Sequence, residues 1–355
     1  MKPPRVFLTH SPAALNHYYG ARALAALQAV AEVHRTDSDA PWTAAALAQA
    51  AQGCDIIVSY RTDGAGAELF ERLPGLVAYC RCAIDIRNID VAAASARGIL
   101  VTQASAGFIP AVAEWIVGAM VDLGRGLSRS TAQYHASEVA TSVMGRQLRG
   151  ATLGIIEYGQ IGRYLARLGL ALGMRVVVSD PHVRVDADVD AGAAVGASID
   201  TAVTAAAPSL QQLPLAELLA QSDFVACLAV AVEATENLMN AATFAQMQRG
   251  AFFINASRGN LVDEAALLQA LDSGHLAGCA LDVGRAPDQM PSLELARHPR
   301  VIATPHIGGL TPEAIEHQSM ETVAQVTALA AGRVPLGAVN AAAAHRLTEF
   351  FARRG

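Results

Sequence analysis

Short apolar runs alternate with Ala- and Leu-rich stretches along nearly the whole chain, the pattern of a parallel sheet joined by crossover helices. In the first third the runs predict strands at 6–9, 30–35, 56–60, 77–80 and 99–102, with helical stretches such as 42–51 and 90–97 between them. That is a small doubly wound α/β unit. A long helix is expected from Pro110 to about Arg125, with 106–126 as the connector, followed by a polar, strand-poor stretch over 128–149. A second series then predicts six strands, at 153–156, 175–179, 224–228, 252–255, 278–283 and 301–304, which matches a dinucleotide-binding architecture. The stretch 186–209, rich in Ala, Gly, Asp and Val, is longer than the loops usual in such units and reads as a surface insertion. A last helix, 311–331, stops at Gly332 with Pro335 soon after.

Composition narrows the chemistry. With 355 residues, 52% hydrophobic and 16% charged, the chain reads as a soluble two-domain protein. A net charge of −6 and 5% aromatics give no footprint of a nucleic-acid binder. Lys2 is the only lysine, which excludes a phosphate loop ending in lysine, a Schiff base and a kinase lysine. The opening lacks a signal-peptide core, and the apolar stretch 108–123 carries Glu114 and Asp122, so no membrane partner is expected. Five cysteines inside apolar runs fit reduced, buried residues and a cytoplasmic location; Cys80 and Cys82 would need a second pair to read as a ligand set. No His, Cys or carboxylate cluster has metal-ligand spacing, so no metal is expected.

Three motifs carry candidate chemistry. In the first, Thr152 to Gly162, a strand turns into a helix through Tyr158, Gly159, Gln160, Ile161 and Gly162, where glycines let the backbone approach a pyrophosphate. Asp180, 18 residues beyond Gly162 and at the end of the next strand, suits the ribose hydroxyls of NAD and would repel a 2′-phosphate. Glu157 stands at the first of the three glycine positions, where it either points outward or weakens binding. In the second, Phe252 to Asp263, a buried strand delivers Ala256, Ser257 and Arg258 to its C-terminal loop, and the Arg258 fork suits a carboxylate. In the third, Val301 to Gly309, Pro305 and the close-approach glycines Gly308 and Gly309 flank His306, a residue able to exchange a proton near neutrality. Each motif taken alone also reads as ordinary turn, cap or packing chemistry.

In order and spacing, 153–181, 255–264, 278–283 and 304–309, together with Asn88-Ile-Asp90, 98–102 and 332–340, resemble the D-isomer-specific 2-hydroxyacid dehydrogenases. The resemblance implies an NAD domain of Rossmann type, 107–310, inserted within a smaller flavodoxin-like substrate domain, 1–106 and 311–355. It implies Arg258 on the substrate carboxylate and carbonyl, His306 as general acid and base, and Asp282 near the nicotinamide carboxamide. Ala256, Ser257, Gly308 and Gly309 would line the cofactor; Arg61 and the loop at Ala83, Ile84 and Asp85 would face a small-molecule substrate. A homodimer through the long helix of the NAD domain is also implied.

The chain departs from that family in three places. Alignment on Pro287 puts Ala286 where the family has a glutamate that pairs with the histidine, and a lost anion leaves the imidazole less often charged. Asp288 lies two residues on. Asp85 and Arg87 replace a glycine and an aspartate in the substrate loop, so a negative Asp85 would repel a simple 2-oxo acid or bind a cationic one. Leu228 and Val230 replace a histidine and a proline after the strand that follows Asp223. Three readings follow: a 2-hydroxyacid dehydrogenase, an NAD-binding sensor with little turnover, or the same fold acting on a substrate without the usual carboxylate geometry.

Overall fold

The computed structural model describes residues 2–185 and 209–353; all but the last residue of the expected insertion lies outside them. The chain divides into two compact units, one formed by 1–108 with 311–355 and the other by 109–310. The helix Ile109–Arg125 opens the second unit, so the boundary falls before it rather than along a connector over 106–126.

In the first unit, β1 (Arg5–Leu8), β2 (Glu32–Arg35), β3 (Ile56–Ser59), β4 (Ala78–Arg81) and β5 (Leu100–Thr102) form a parallel sheet in the order β2-β1-β3-β4-β5. Successive residues alternate between two apolar layers. Val6, Leu8, Ile56, Val58 and Cys80 pack on one side, and Phe7, Ile57 and Tyr79 on the other. Burial on both faces explains why these strands are continuous apolar runs, each large side chain contributing about 1.5–3 kcal/mol. The first layer is completed by Ala23 and Leu27 from Ala21–Val30, and by Val323, Val326 and Leu329 from the helix Pro312–Ala330. That last helix starts where the Thr311 hydroxyl accepts from the Ala314 N–H, with Pro312 in its first turn.

The second unit holds β6 (Thr152–Ile156), β7 (Arg175–Ser179), β8 (Ser209–Gln212), β9 (Phe224–Cys227), β10 (Ala251–Asn255), β11 (Leu276–Leu281) and β12 (Val301–Ala303). They pair in parallel in the order β12-β11-β10-β9-β6-β7-β8. The order reverses between β6 and β9, which makes their C-terminal ends the switch point where ligands of open α/β sheets bind. Seven strands replace the six expected, because β8 is an edge strand that buries only Leu210 and carries no apolar run. The stretch expected to be polar and strand-poor, 128–149, holds no strand and begins with a helix, Leu127–His135.

Candidate active site

The loops at the C-terminal edge of the larger sheet gather the residues expected to act there. After β6 the chain turns through Glu157 and Tyr158 into the helix Gln160–Ala171, whose N-cap, Gly159, provides no side-chain hydrogen bond. Nothing lies within 4 Å of where a Cβ on Gly159 would stand, whereas one on Gly162 would come 2.5 Å from the Glu157 carbonyl oxygen. The turn therefore leaves an open, uncapped helix N-terminus above a tight strand-to-helix contact, a fit for a dinucleotide pyrophosphate. Asp180, at the end of β7, accepts from the Tyr158 N–H at 2.8 Å and from the His182 and Val183 N–H groups at 2.7 and 2.9 Å. Burial would raise its carboxyl, but these three amides and the nearby His182 outweigh it and hold Asp180 below the usual carboxylate range. The ionised group so fixed suits ribose hydroxyls.

Glu157 answers the question its position raised. It adopts φ +76°, the left-handed conformation for which glycine is the usual choice, and its carboxylate accepts from the Val230 N–H beyond β9. The side chain thus spans the switch point instead of pointing away from it. Burial, joined by the charge of Asp180, raises its carboxyl above the ordinary value despite the opposing Val230 bond and His182.

The β10 loop is set by Asn255, a buried residue that accepts from the Ser257 N–H and donates to the Arg258 carbonyl. Ser257 donates its hydroxyl to the Ala229 carbonyl at 2.7 Å, tying the β10 and β9 loops together, while Ala256 lies half-buried beside it. Arg258 is half-buried and donates from Nη1 to the Ser257 carbonyl. The next residue, Gly259, passes so near β11's loop that a Cβ would stand 2.0 Å from the Gly284 carbonyl oxygen.

Asp282, just past β11, is 2% exposed and organises the loop carrying His306. Its Oδ1 accepts from the Thr304 hydroxyl at 2.6 Å and the Ile307 N–H at 2.8 Å, and its Oδ2 from the Gly308 N–H at 2.7 Å. The His306 N–H reaches the Asp282 carbonyl at 3.0 Å, and His306 itself sits at φ +55°. Close by, a Cβ on Gly308 would press on Asp282 and approach Trp115. Asp282 was expected near the nicotinamide; the bonds seen here make it first the clamp of the His306 loop. Thr304, Asn255 and Trp115 went unnoticed in the sequence, since their value depends on residues distant in the chain. Ala286 carries no carboxylate, and the side chain of Asp288 lies outside the described residues.

In the first unit, Arg61 follows β3, half-buried, with its guanidinium 5.3 Å from the Tyr18 ring centre. Past β4, Ala83 is buried, Ile84 is exposed and Asp85 is half-buried. Arg87 donates to both Asp85 oxygens, so the carboxylate expected to repel an anionic substrate is already paired. Cys80 and Cys82 are buried thiols pushed up to about 11 and 12 by desolvation. Among the described residues no group of His, Cys and carboxylates could hold a metal ion, and no helix is long and apolar enough to cross a membrane.

Residues 117–308, more than half of the chain, match the NAD binding domain of D-isomer specific 2-hydroxyacid dehydrogenase. The chain belongs to this family. As a D-2-hydroxyacid dehydrogenase family member, it is 32% identical over 290 residues to D-3-phosphoglycerate dehydrogenase 3, chloroplastic, of Arabidopsis thaliana, a match covering 81% of this chain and 46% of the relative. It is 35% identical over 260 residues to the (S)-sulfolactate dehydrogenase of Chromohalobacter salexigens, covering 73% and 79%. The chain spans about half the length of the phosphoglycerate dehydrogenases it matches. Among solved structures, the TT0316 protein from Thermus thermophilus is 28% identical with a TM-score of 0.76, covering 94% of this chain and 99% of that one. D-lactate dehydrogenase from Aquifex aeolicus, complexed with NAD and lactic acid, is 25% identical with a TM-score of 0.70, covering 92% and 96%. The larger unit of this family member is an NAD-binding domain.

Proposed function

We propose that the protein is an NAD-dependent oxidoreductase that interconverts a 2-hydroxy acid and its 2-oxo acid. The observation that carries this reading is the placement of Arg258 and His306 on loops leaving β10 and β12, on either side of the Asp282 clamp, at the same sheet edge as the helix N-terminus after β6. Bound NAD(H) supplies or accepts the hydride. The Tyr158–Gly162 turn would hold its phosphates, with Asp180 on its ribose. Arg258 presents a planar pair of donors to the substrate carboxylate and polarises the carbonyl, and His306 gives or takes the hydroxyl proton. In the substrate domain, Arg61 and the Ala83–Asp85 loop are assigned to the substrate.

The name of the sulfolactate dehydrogenase, together with those of the phosphoglycerate and lactate dehydrogenases, supports a small 2-hydroxy acid as substrate. Five buried, unbridged cysteines favour a reducing compartment, the cytoplasm. Exposed Leu127, Tyr134, Val139, Val143 and Met144, following the long helix, favour a homodimer through the NAD domain.

The test is an NADH fluorescence titration followed, in the same cuvette, by pyruvate, glyoxylate, hydroxypyruvate and bulkier 2-oxo acids. Oxidation by one of them is expected, lost by about a thousandfold in Arg258→Ala and in His306→Asn, the latter chosen because Asn tolerates the left-handed backbone. Saturable binding without turnover of any of them would favour the second reading, a cofactor-dependent sensor, which the absent carboxylate at Ala286 and the charge of Glu157 motivate.

A further inference from the structure

The turn after β6 holds a carboxylate where the fold would receive phosphates. Glu157 sits at the end of β6, Val230 follows β9, and the bond between them crosses the one place in this sheet where strand order reverses. The backbone there is left-handed at a residue with a side chain, a strained conformation that glycine would adopt freely. The helix N-terminus two residues on has no side-chain cap and open space over Gly159.

We propose that Glu157 is a built-in competitor for the dinucleotide's phosphates, so that cofactor binding must displace its carboxylate from the Val230 N–H and is weakened by its charge. The proposal rests on the NAD reading above and concerns the same site. Three ionisable groups face this carboxylate: Asp180 at the end of β7, His182 just beyond it, and the buried Cys227 thiol at the end of β9. A second carboxylate, Asp180, already faces the turn, and added phosphate charge would oppose both. Glu157 is the one of the two whose carboxyl is raised, whereas Asp180 is held down by three amides. Binding should therefore draw a proton onto Glu157, and by linkage affinity should rise as pH falls.

The experiment is an NADH titration, read by nicotinamide fluorescence, of the wild-type protein, Glu157→Gln and Glu157→Gly. Calorimetry in two buffers of different ionisation heat counts the protons taken up. As pH is lowered from about 8.5 toward the carboxylate range, the wild-type affinity should tighten more steeply, and with more proton uptake, than that of Glu157→Gln, which should bind about tenfold tighter than wild type at the alkaline end. Gln keeps an acceptor for Val230 and removes only the charge; His182 is common to all three chains, so their differences isolate residue 157. Glu157→Gly should bind at least as tightly as Glu157→Gln and melt at a higher temperature, from relief of the left-handed strain. Equal affinities and equal pH slopes in wild type and Glu157→Gln would overturn the proposal, as would tighter binding in Glu157→Gly alone. Both of those outcomes leave the NAD reading standing; absence of NADH binding in all three chains would overturn the two together.

Discussion

Arg87 grips Asp85 with Nε 3.0 Å from one carboxylate oxygen and Nη2 2.6 Å from the other, two residues apart in one turn. Both positions depart from the family pattern, and they depart together: the charge that one brings, the other offsets. The pair is locally neutral where a glycine and an aspartate would carry one negative charge, and Asp85 adds a side chain where the glycine has none.

A double-mutant cycle separates this compensation from simple loop damage. Arg87→Ala should raise KM for a 2-oxo acid severalfold by exposing the Asp85 charge, and adding Asp85→Asn should restore most of it. The pair is too exposed to matter for stability, so unfolding free energies should change by no more than about 0.5 kcal/mol. An Arg87→Ala variant whose KM is unchanged would remove Asp85 from the substrate's surroundings.

Asp282→Ala should be costly twice over. Three donors, from Thr304, Ile307 and Gly308, lose a buried charged acceptor, a loss of about 3 kcal/mol or more in urea unfolding. The loop holding His306 would lose its anchor as well, so kcat should fall even at temperatures where the variant stays folded. Asp282→Asn, which keeps one acceptor oxygen, should sit between the two; retention of full stability by Asp282→Ala would contradict the clamp.

Restoring the family's carboxylate tests what its absence costs. Ala286→Glu should raise the rate of 2-oxo acid reduction above neutral pH and carry the active range further into alkali, because an added anion favours a charged imidazole at His306. A pH–rate profile unchanged from wild type would mean that position 286 does not reach the histidine.

His10 governs a pH dependence in the first unit. It is 1% exposed, between the rings of Tyr19 and Tyr60, and burial, then the charge of Arg81, lower it to about 3, with the Tyr18 backbone opposing them. The unfolded chain takes up this proton below about pH 6.5, but the folded chain declines it until near pH 3. Stability therefore falls as pH drops across that window, by on the order of 5 kcal/mol in full, and this contribution is flat above it. Comparing urea unfolding of wild type and His10→Phe from neutral to acid pH should show a shallower acid loss in the variant; parallel curves would assign the effect elsewhere.

Most strands were legible because both faces of each sheet are covered, which turns a strand into an unbroken apolar run. β8 was not: with only Leu210 buried, it carries no such run. The helix Leu127–His135 hid for a related reason, since it buries none of its residues. At the site, Arg258, His306 and Asp180 could be picked out because they follow strands within one to three residues. What they are held by could not. Glu157 stood out as a misfit, yet its partner is Val230, 73 residues away, and the pairing of Asp85 with Arg87 depends on a turn that no periodicity announces.

The division of the chain also sets an order of assembly. The seven-stranded unit is one continuous segment, 109–310, whereas the five-stranded unit is shared between 1–108 and 311–355. All five strands of the smaller sheet are synthesised early, but Val323, Val326 and Leu329, which cover one of its faces, arrive last. So do Thr322, Gln325 and Asn340, the partners of Tyr19, Thr102 and Val101. On the ribosome, then, the unit that starts first finishes second, and one face of its apolar sheet stays only partly covered while the whole NAD domain is made.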